Sequence, residues 1–315
     1  MYFYLTLVLR PSDRDFKNRI PGLRQFIDAA GNFKISQLMK IISKFYLVIS
    51  ILFVSLKTEI VHGQDINVKL GFADSIQSPI LKENRKIIIS LPDEYDTSKK
   101  TYPVLYLLDG NINSLLETVS TMNKLGLDEN IPKMIVVAIG NTDRDRDMMP
   151  LSTKQYSVPV AGAKQFLSFI GDELIPLIDQ KYRTNKQRIL CGKSLSGLFT
   201  LYALLTNPQL FESYIGRSAG WLRDMNDYFI TLTDRALQQP DLYRDKKIFM
   251  SNSLIDDYDK DHDVHKQMLE FSEKIKAKLG DRVQYKYVTY NNYPHVPFPS
   301  LYDGLKYIFE ADTKK

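Results

Sequence analysis

Cysteine is almost missing from this chain: Cys191 is the only one in 315 residues. That excludes an internal disulfide and leaves the fold to rest on its core. Histidine is scarce too, with four in the chain, so chemistry that needs an imidazole has few places to sit. There is little charge imbalance. Forty-two basic against 37 acidic residues give a formal +5, and Arg10, Arg14, Arg19, Arg24, Lys40 and Lys44 in the N-terminal segment supply much of it. That distribution gives no support to a nucleic-acid partner. Internal repeats, low-complexity tracts and a Pro/Gly/Ser-rich linker are all missing from the later part. A solenoid is thereby excluded, and one large domain is expected. No uncharged run reaches the roughly 20 residues that a bilayer span requires.

What is present is an ordinary globular composition, 44% hydrophobic and 25% charged, enough for a sizeable core. The apolar run Phe45–Leu56 follows Lys40 and Lys44 and precedes Val61-His62-Gly63-Gln64. A basic stretch, an apolar stretch and small or β-branched residues before a junction make a signal peptide. The expected organisation is therefore 39–63 as signal peptide, starting at Met39, and 64–315 as the mature domain. Residues 1–38 read as an over-extended gene start. Export to a periplasm or the exterior is expected, with no stable membrane span after cleavage.

Beyond Gln64, short β-rich runs alternate with helical periodicity. Lys86–Leu91, Val104–Leu108, Met134–Ile139, Arg188–Cys191, Lys247–Met250 and Val283–Tyr290 read as strands. Phe166 to Ile178, Leu198 to Leu205 and Val264–Leu279 carry helical spacing. Continuous apolar strands separated by helices predict an α/β fold, a mainly parallel twisted sheet with helices on both faces. Reactive residues in such a sheet belong at the carboxyl ends of the strands.

One such end is chemically specific. Ile189-Leu190-Cys191-Gly192-Lys193-Ser194-Leu195-Ser196-Gly197 is a strand, a small-residue turn and a helix start. It fits the G-x-S-x-G nucleophile elbow of α/β-hydrolases, with Ser196 in place of the second glycine. Gly192-Lys193-Ser194 also ends a P-loop pattern, but Gln187 stands where that motif needs glycine.

A serine nucleophile needs a base, and an acid to orient that base. His62 falls in the signal region, and His262 and His265 open a helix in an acid-rich run. His295 follows the last strand and has the expected order after the serine. The acid belongs after the strand ending at Met250, where Asp256 and Asp257 are neighbouring candidates. The nearby run Asp257, Asp259, Asp261 mimics a calcium loop, but His262 takes its glycine position and Met268 its terminal glutamate. No metal or organic cofactor is implied. For the oxyanion hole, the backbone N–H of Leu195 is one expected donor, and Asn111 or Gly110, in the turn after Val104–Leu108, the other.

Taken with Asn84-Arg85-Lys86, Leu91-Pro92-Asp93-Glu94-Tyr95, Tyr102 to Gly110, Asn141 to Asp147 and Ser300 to Leu305, the elbow resembles one esterase family. It includes siderophore (enterobactin-type) esterases, S-formylglutathione hydrolase, feruloyl and acetylxylan esterases and antigen 85. The resemblance covers Asn67 to about Phe309 and implies the α/β-hydrolase fold. Members usually carry histidine before the serine and glycine two after it, where this chain has Lys193 and Ser196. The expectation is a serine esterase acting through an acyl-enzyme on a small-molecule or glycan-linked ester. An acyltransferase on the same residues, or a non-catalytic binding protein with a degenerate elbow, are the alternatives. Arg144, Arg146, Arg217 and Arg223 are candidates for the cleft rim, and Trp221 for its wall.

Overall fold

The computed structural model describes residues 35–55, 68–127, 131–152, 161–221 and 225–310. The chain divides into two compact units, Met1–Asn67 and Val68–Lys315. In the first, helix α1 (Ile35–Ser55) contains most of the apolar run and exposes Phe45, Tyr46 and Leu47. No helix among the described residues is long and apolar enough to cross a membrane. The first 34 residues and the junction before Gln64 lie outside the described residues.

The second unit is built on an eight-stranded sheet in the order β1-β2-β4-β3-β5-β6-β7-β8. The strands are β1 (Phe72–Ser78), β2 (Glu83–Ser90), β3 (Tyr102–Leu107), β4 (Ile135–Ile139), β5 (Thr184–Lys193), β6 (Ser213–Arg217), β7 (Lys246–Ser253) and β8 (Val283–Tyr290). β2 runs antiparallel to both its neighbours, and all other pairs are parallel. The inner strands are buried on both sides because their apolar residues are continuous rather than alternating with polar ones.

Alternation then sorts each strand's side chains between two core layers. Val104, Tyr106, Val137, Leu190, Tyr214 and Ile248 face one layer, while Leu105, Leu107, Val136, Ile189, Ile215 and Phe249 face the other. The first layer is closed by Phe166 of α4 (Ala163–Ser168), Ile178 of α5 (Ile175–Lys181), Phe199 of α6 (Leu195–Thr206), Phe229 of α7 (Asn226–Ala236) and Phe271 of α8 (Asp263–Leu279). The second is closed by Leu115 of α2 (Ile112–Leu127) and Leu301 and Leu305 of α9 (Pro299–Glu310). A short helix, α3 (Arg144–Met148), follows β4. Each fully buried Leu, Ile or Phe in these layers contributes about 1.5–3 kcal/mol.

Two strands lay outside the expected set. β6 is only five residues long, with glycine and arginine among them, yet all five are buried. β1 is a largely exposed edge whose polar residues hide its alternation. Helices α2, α7 and α9 were likewise not anticipated; the clearest, α9, has Pro299 and Gly304 within a short apolar stripe.

Candidate active site

The carboxyl ends of β4, β5, β6, β7 and β8 lie along one edge of the parallel sheet, and the segments after them form a cleft of about 340 Å³. β5 delivers Ser194, which caps α6 at φ 56° and ψ −125°. A non-glycine residue pays for such a backbone, and strain of this kind is held only where surrounding contacts over-determine it. The holding contacts are local. Ser194 N–H donates to Arg217 O on β6 at 2.8 Å, and Ser194 O accepts from Leu198 N–H at 3.0 Å. Gly192 is required: a Cβ there would stand 2.2 Å from Ser196 O.

Ser196, at the second glycine position of the G-x-S-x-G elbow pattern, is fully buried and hydrogen-bonded. Its hydroxyl accepts from Lys193 N–H at 2.8 Å and lies 2.9 Å from Asp109 Oδ2. Asp109 is the centre of a small network. Arg144 grips it with Nε at 2.7 Å and Nη2 at 2.8 Å, and Asn141 Nδ2 donates to it at 2.7 Å. Burial alone would raise the Asp109 pKa, but the hydrogen bonds and charge of Arg144, with Asn141 and Ser196, outweigh it. The carboxyl is held below its usual range. The extra hydroxyl of Ser196 thus ties the elbow to the turn after β3. The neighbouring Cys191 is buried, and desolvation pushes its thiol up to about 11, so it is a core residue rather than a reactive thiol.

His295 reaches Ser194 from the loop after β8. Its Nε2 lies 2.8 Å from Ser194 Oγ, and its Nδ1 lies 2.5 Å from Asp256 Oδ2. Of the two neighbouring acids, Asp256 is therefore the one that faces the ring. Asp257 is exposed, and Lys260 Nζ lies 3.9 Å from it. Asp256 is also fixed from behind, because its Oδ1 accepts the backbone N–H of Tyr258 at 2.9 Å.

The His295 loop has no regular structure, so its backbone groups are met by side chains. Ser218 Oγ accepts from Val296 N–H at 2.9 Å, Ser253 donates to Tyr293 O, and Ser300 donates to Pro297 O at 2.5 Å. Ser300 in turn accepts from Arg217 Nε at 2.8 Å. Val296, beside the histidine, stands at φ 56°, an outlier for a β-branched residue.

Several expected site residues are placed elsewhere. Gly110 and Asn111 do not line the Ser194 cleft; with Asp109, Gly140 and Asn141 they border a separate depression. Asp109 turns the chain at φ 53°, so Gly110 N–H donates to Ile139 O at 2.7 Å and Asn111 N–H to Asp109 O at 2.9 Å. The Asn111 side chain instead accepts from Asn113 and Ser114 N–H at the start of α2. Leu195 does line the cleft, and as the first residue of α6 its N–H has no intrahelical acceptor.

Arg146 is not at the rim either. Its Nε donates to the buried Asp147 at 2.7 Å, inside an ion cluster with Glu83 and the fully buried Arg85. Arg217 is buried against Glu117 at 2.6 Å and Ser300. Arg223 lies outside the described residues. Arg144 and Trp221 line the cleft, the indole stacked on Phe229 at 5.0 Å and donating to Asn226 at 3.0 Å. Sequence reasoning missed Asp109, Ser218 and Tyr258. None of them left a local signal, since an Asx turn on Asp256 accepts the N–H of whatever residue stands two positions on.

Comparison with known proteins gives the family. The family described as "Putative esterase" matches residues 78–296. The ferri-bacillibactin esterase BesA of Bacillus subtilis is 31% identical over 160 residues, 42% of this chain and 55% of that protein. The siderophore triacetylfusarinine C esterase of Aspergillus fumigatus is 29% identical over 136 residues, 40% of this chain and 47% of that protein. The chain spans about half the length of these curated relatives. An IroE-like serine hydrolase from Shewanella oneidensis superposes with a TM-score of 0.67 at 29% identity, covering 76% of this chain and 80% of that one. The eight-stranded sheet with one antiparallel strand inside it, and a family match across most of the second unit, lead to one conclusion: the chain belongs to the esterase family and has the α/β-hydrolase fold.

Proposed function

We propose that this protein hydrolyses a carboxylic ester through an acyl-enzyme on Ser194. The observation that carries the reading is the unbroken relay from Ser194 Oγ to His295 Nε2 at 2.8 Å and from His295 Nδ1 to Asp256 at 2.5 Å, opening into a cleft. His295 takes the hydroxyl proton as Ser194 Oγ attacks the carbonyl carbon, and Asp256 stabilises the imidazolium that forms. Collapse of the tetrahedral intermediate breaks the ester C–O bond, and His295 returns the proton to the departing alcohol. Water then enters by the same route in reverse and releases the acid. Leu195 N–H, at the positive end of α6, faces the developing oxyanion.

The substrate class we infer is a siderophore-type ester. The names of the two curated relatives support it, as do the cleft's aromatic wall at Trp221 and the cation at Arg144. Arg144 binds Asp109 through Nε and Nη2, and its remaining nitrogen is proposed to meet a polar or anionic part of the substrate. Export, with maturation near Gln64, belongs to the same proposal and rests on the basic, apolar and small-residue order of residues 39–63. N-terminal sequencing of the exported protein checks it, and a start within residues 1–38 would overturn it.

The decisive experiment on the chemistry pairs Ser194→Ala with a serine-directed organophosphate. The wild type should gain one covalent adduct on the Ser194 peptide. The variant should gain none, stay folded and lose turnover by ~10⁴ to ~10⁶. Retention of a tenth or more of the wild-type rate by Ser194→Ala would sink the assignment.

A further inference from the structure

Two loops, one after β7 carrying Asp256 and one after β8 carrying His295, together expose four large apolar side chains: Ile255, Tyr258, Tyr293 and Phe298. Scattered single apolar residues are normal on a surface, but these flank the acid and the imidazole. Tyr258 stands out at 83% exposure, the highest of the large hydrophobic residues among the described ones. Its ring nonetheless lines the cleft and meets the His295 ring edge-on, with centroids 4.9 Å apart and planes at 60°. Its backbone is held by the N–H donated to Asp256. An aromatic ring is thus kept beside the reacting atoms with most of its surface in water, which costs hydrophobic free energy in the unliganded protein.

The cleft volume says what could meet it. About 340 Å³ is at the small end of the range for ligand pockets. An ester of siderophore size has to extend past the mouth, where Tyr258 stands. Inside, Trp221 is locked by Phe229 and Asn226. We propose that Tyr258 is a specificity-determining residue, the aromatic rim on which a planar aromatic substituent of the ester packs at the cleft mouth. This rests on the proposed ester-hydrolase reading and names the substrate class within it. Tyrosine suits the role because it offers a large rigid face at the cost of two side-chain torsions.

The test measures binding, so that it does not depend on turnover. The Ser194→Ala protein is titrated with the methyl esters of N-benzoylglycine and N-hexanoylglycine, which share the ester bond and the alcohol. Adding Tyr258→Ala should weaken the benzoyl ester relative to the hexanoyl ester by roughly three- to tenfold, the range expected for one aromatic pair. Tyr258→Phe should keep the ratio within about twofold, since the ring face is what binds. An unchanged ratio in Tyr258→Ala, or equal weakening of both esters, overturns the proposal. Failure of the ester-hydrolase reading shows up separately, as wild-type protein that hydrolyses neither ester while the ratio of affinities still responds.

Discussion

Ser194 and His295 are 2.8 Å apart but stand on opposite kinds of structure. The serine side is a strand, a turn and a helix, with Ile189 to Gly192 and Ser196 to Leu205 all buried. Its strain at Ser194 is held by backbone bonds to β6 and by the Ser196–Asp109–Arg144 network. The histidine side is two irregular loops that expose apolar rings and are held by hydroxyls from Ser218, Ser253 and Ser300. A rigid half can store strain and fix a nucleophile, whereas a half held by a few side-chain bonds is the one whose rim can diverge to suit a substrate.

The sharpest way to break that comparison is to disable the loop side at its acid. Asp256→Asn should lower kcat by about 10⁴, as loss of the orienting aspartate does elsewhere, while Asp257→Asn should change it little. Equal activity of the two variants would mean that the loop side is arranged differently in solution.

On the serine side the expected effect is on stability first. Ser196→Ala leaves Lys193 N–H and Asp109 short of a buried partner, at a cost of about 1–3 kcal/mol, read from denaturant midpoints. Ser196→Gly, which restores the G-x-S-x-G pattern, should lose the same bonds and also test whether the turn tolerates it. Asp109 adds a pH signature. Its folded pKa is depressed, so its stabilisation is present above the unfolded value of about 3.9 and is lost as pH falls through the folded value. The stability gap between wild type and Asp109→Asn should therefore close in acid. A gap that is constant with pH would show that the Arg144 pair contributes nothing through charge.

The smallest expected effect on stability belongs to a single loop tether. Ser218→Ala removes the acceptor for Val296 N–H and should cost only about 1 kcal/mol of stability. Displacement of His295 should still lower kcat measurably, up to ~100-fold if the ring moves by about 1 Å. A stability loss with unchanged kcat would mean that the other two serines suffice to hold the ring.

Legibility followed the same division. The elbow could be read because strand pattern, Gly192 and the helix start are all local. Arg144 and Arg146 could not be separated by composition, since residues two apart on a helix face different ways. Only the position of α3 sends one to Asp109 and the other to Asp147. Gly110 and Asn111 were misplaced for a related reason: where their N–H groups go depends on the Asp109 turn and on Ile139 of a neighbouring strand.

By itself the sequence determined the parallel sheet, the strand carrying Ser194 and the histidine that follows the last strand, because each is written in periodicity or chain order. The tertiary structure decided that Asp256 and not Asp257 meets the imidazole. It also decided that Ser196 binds Asp109, and that Tyr258 stands at the cleft mouth. These depend on which way a side chain points from an irregular backbone and on what a distant segment brings to meet it. No local pattern encodes either one.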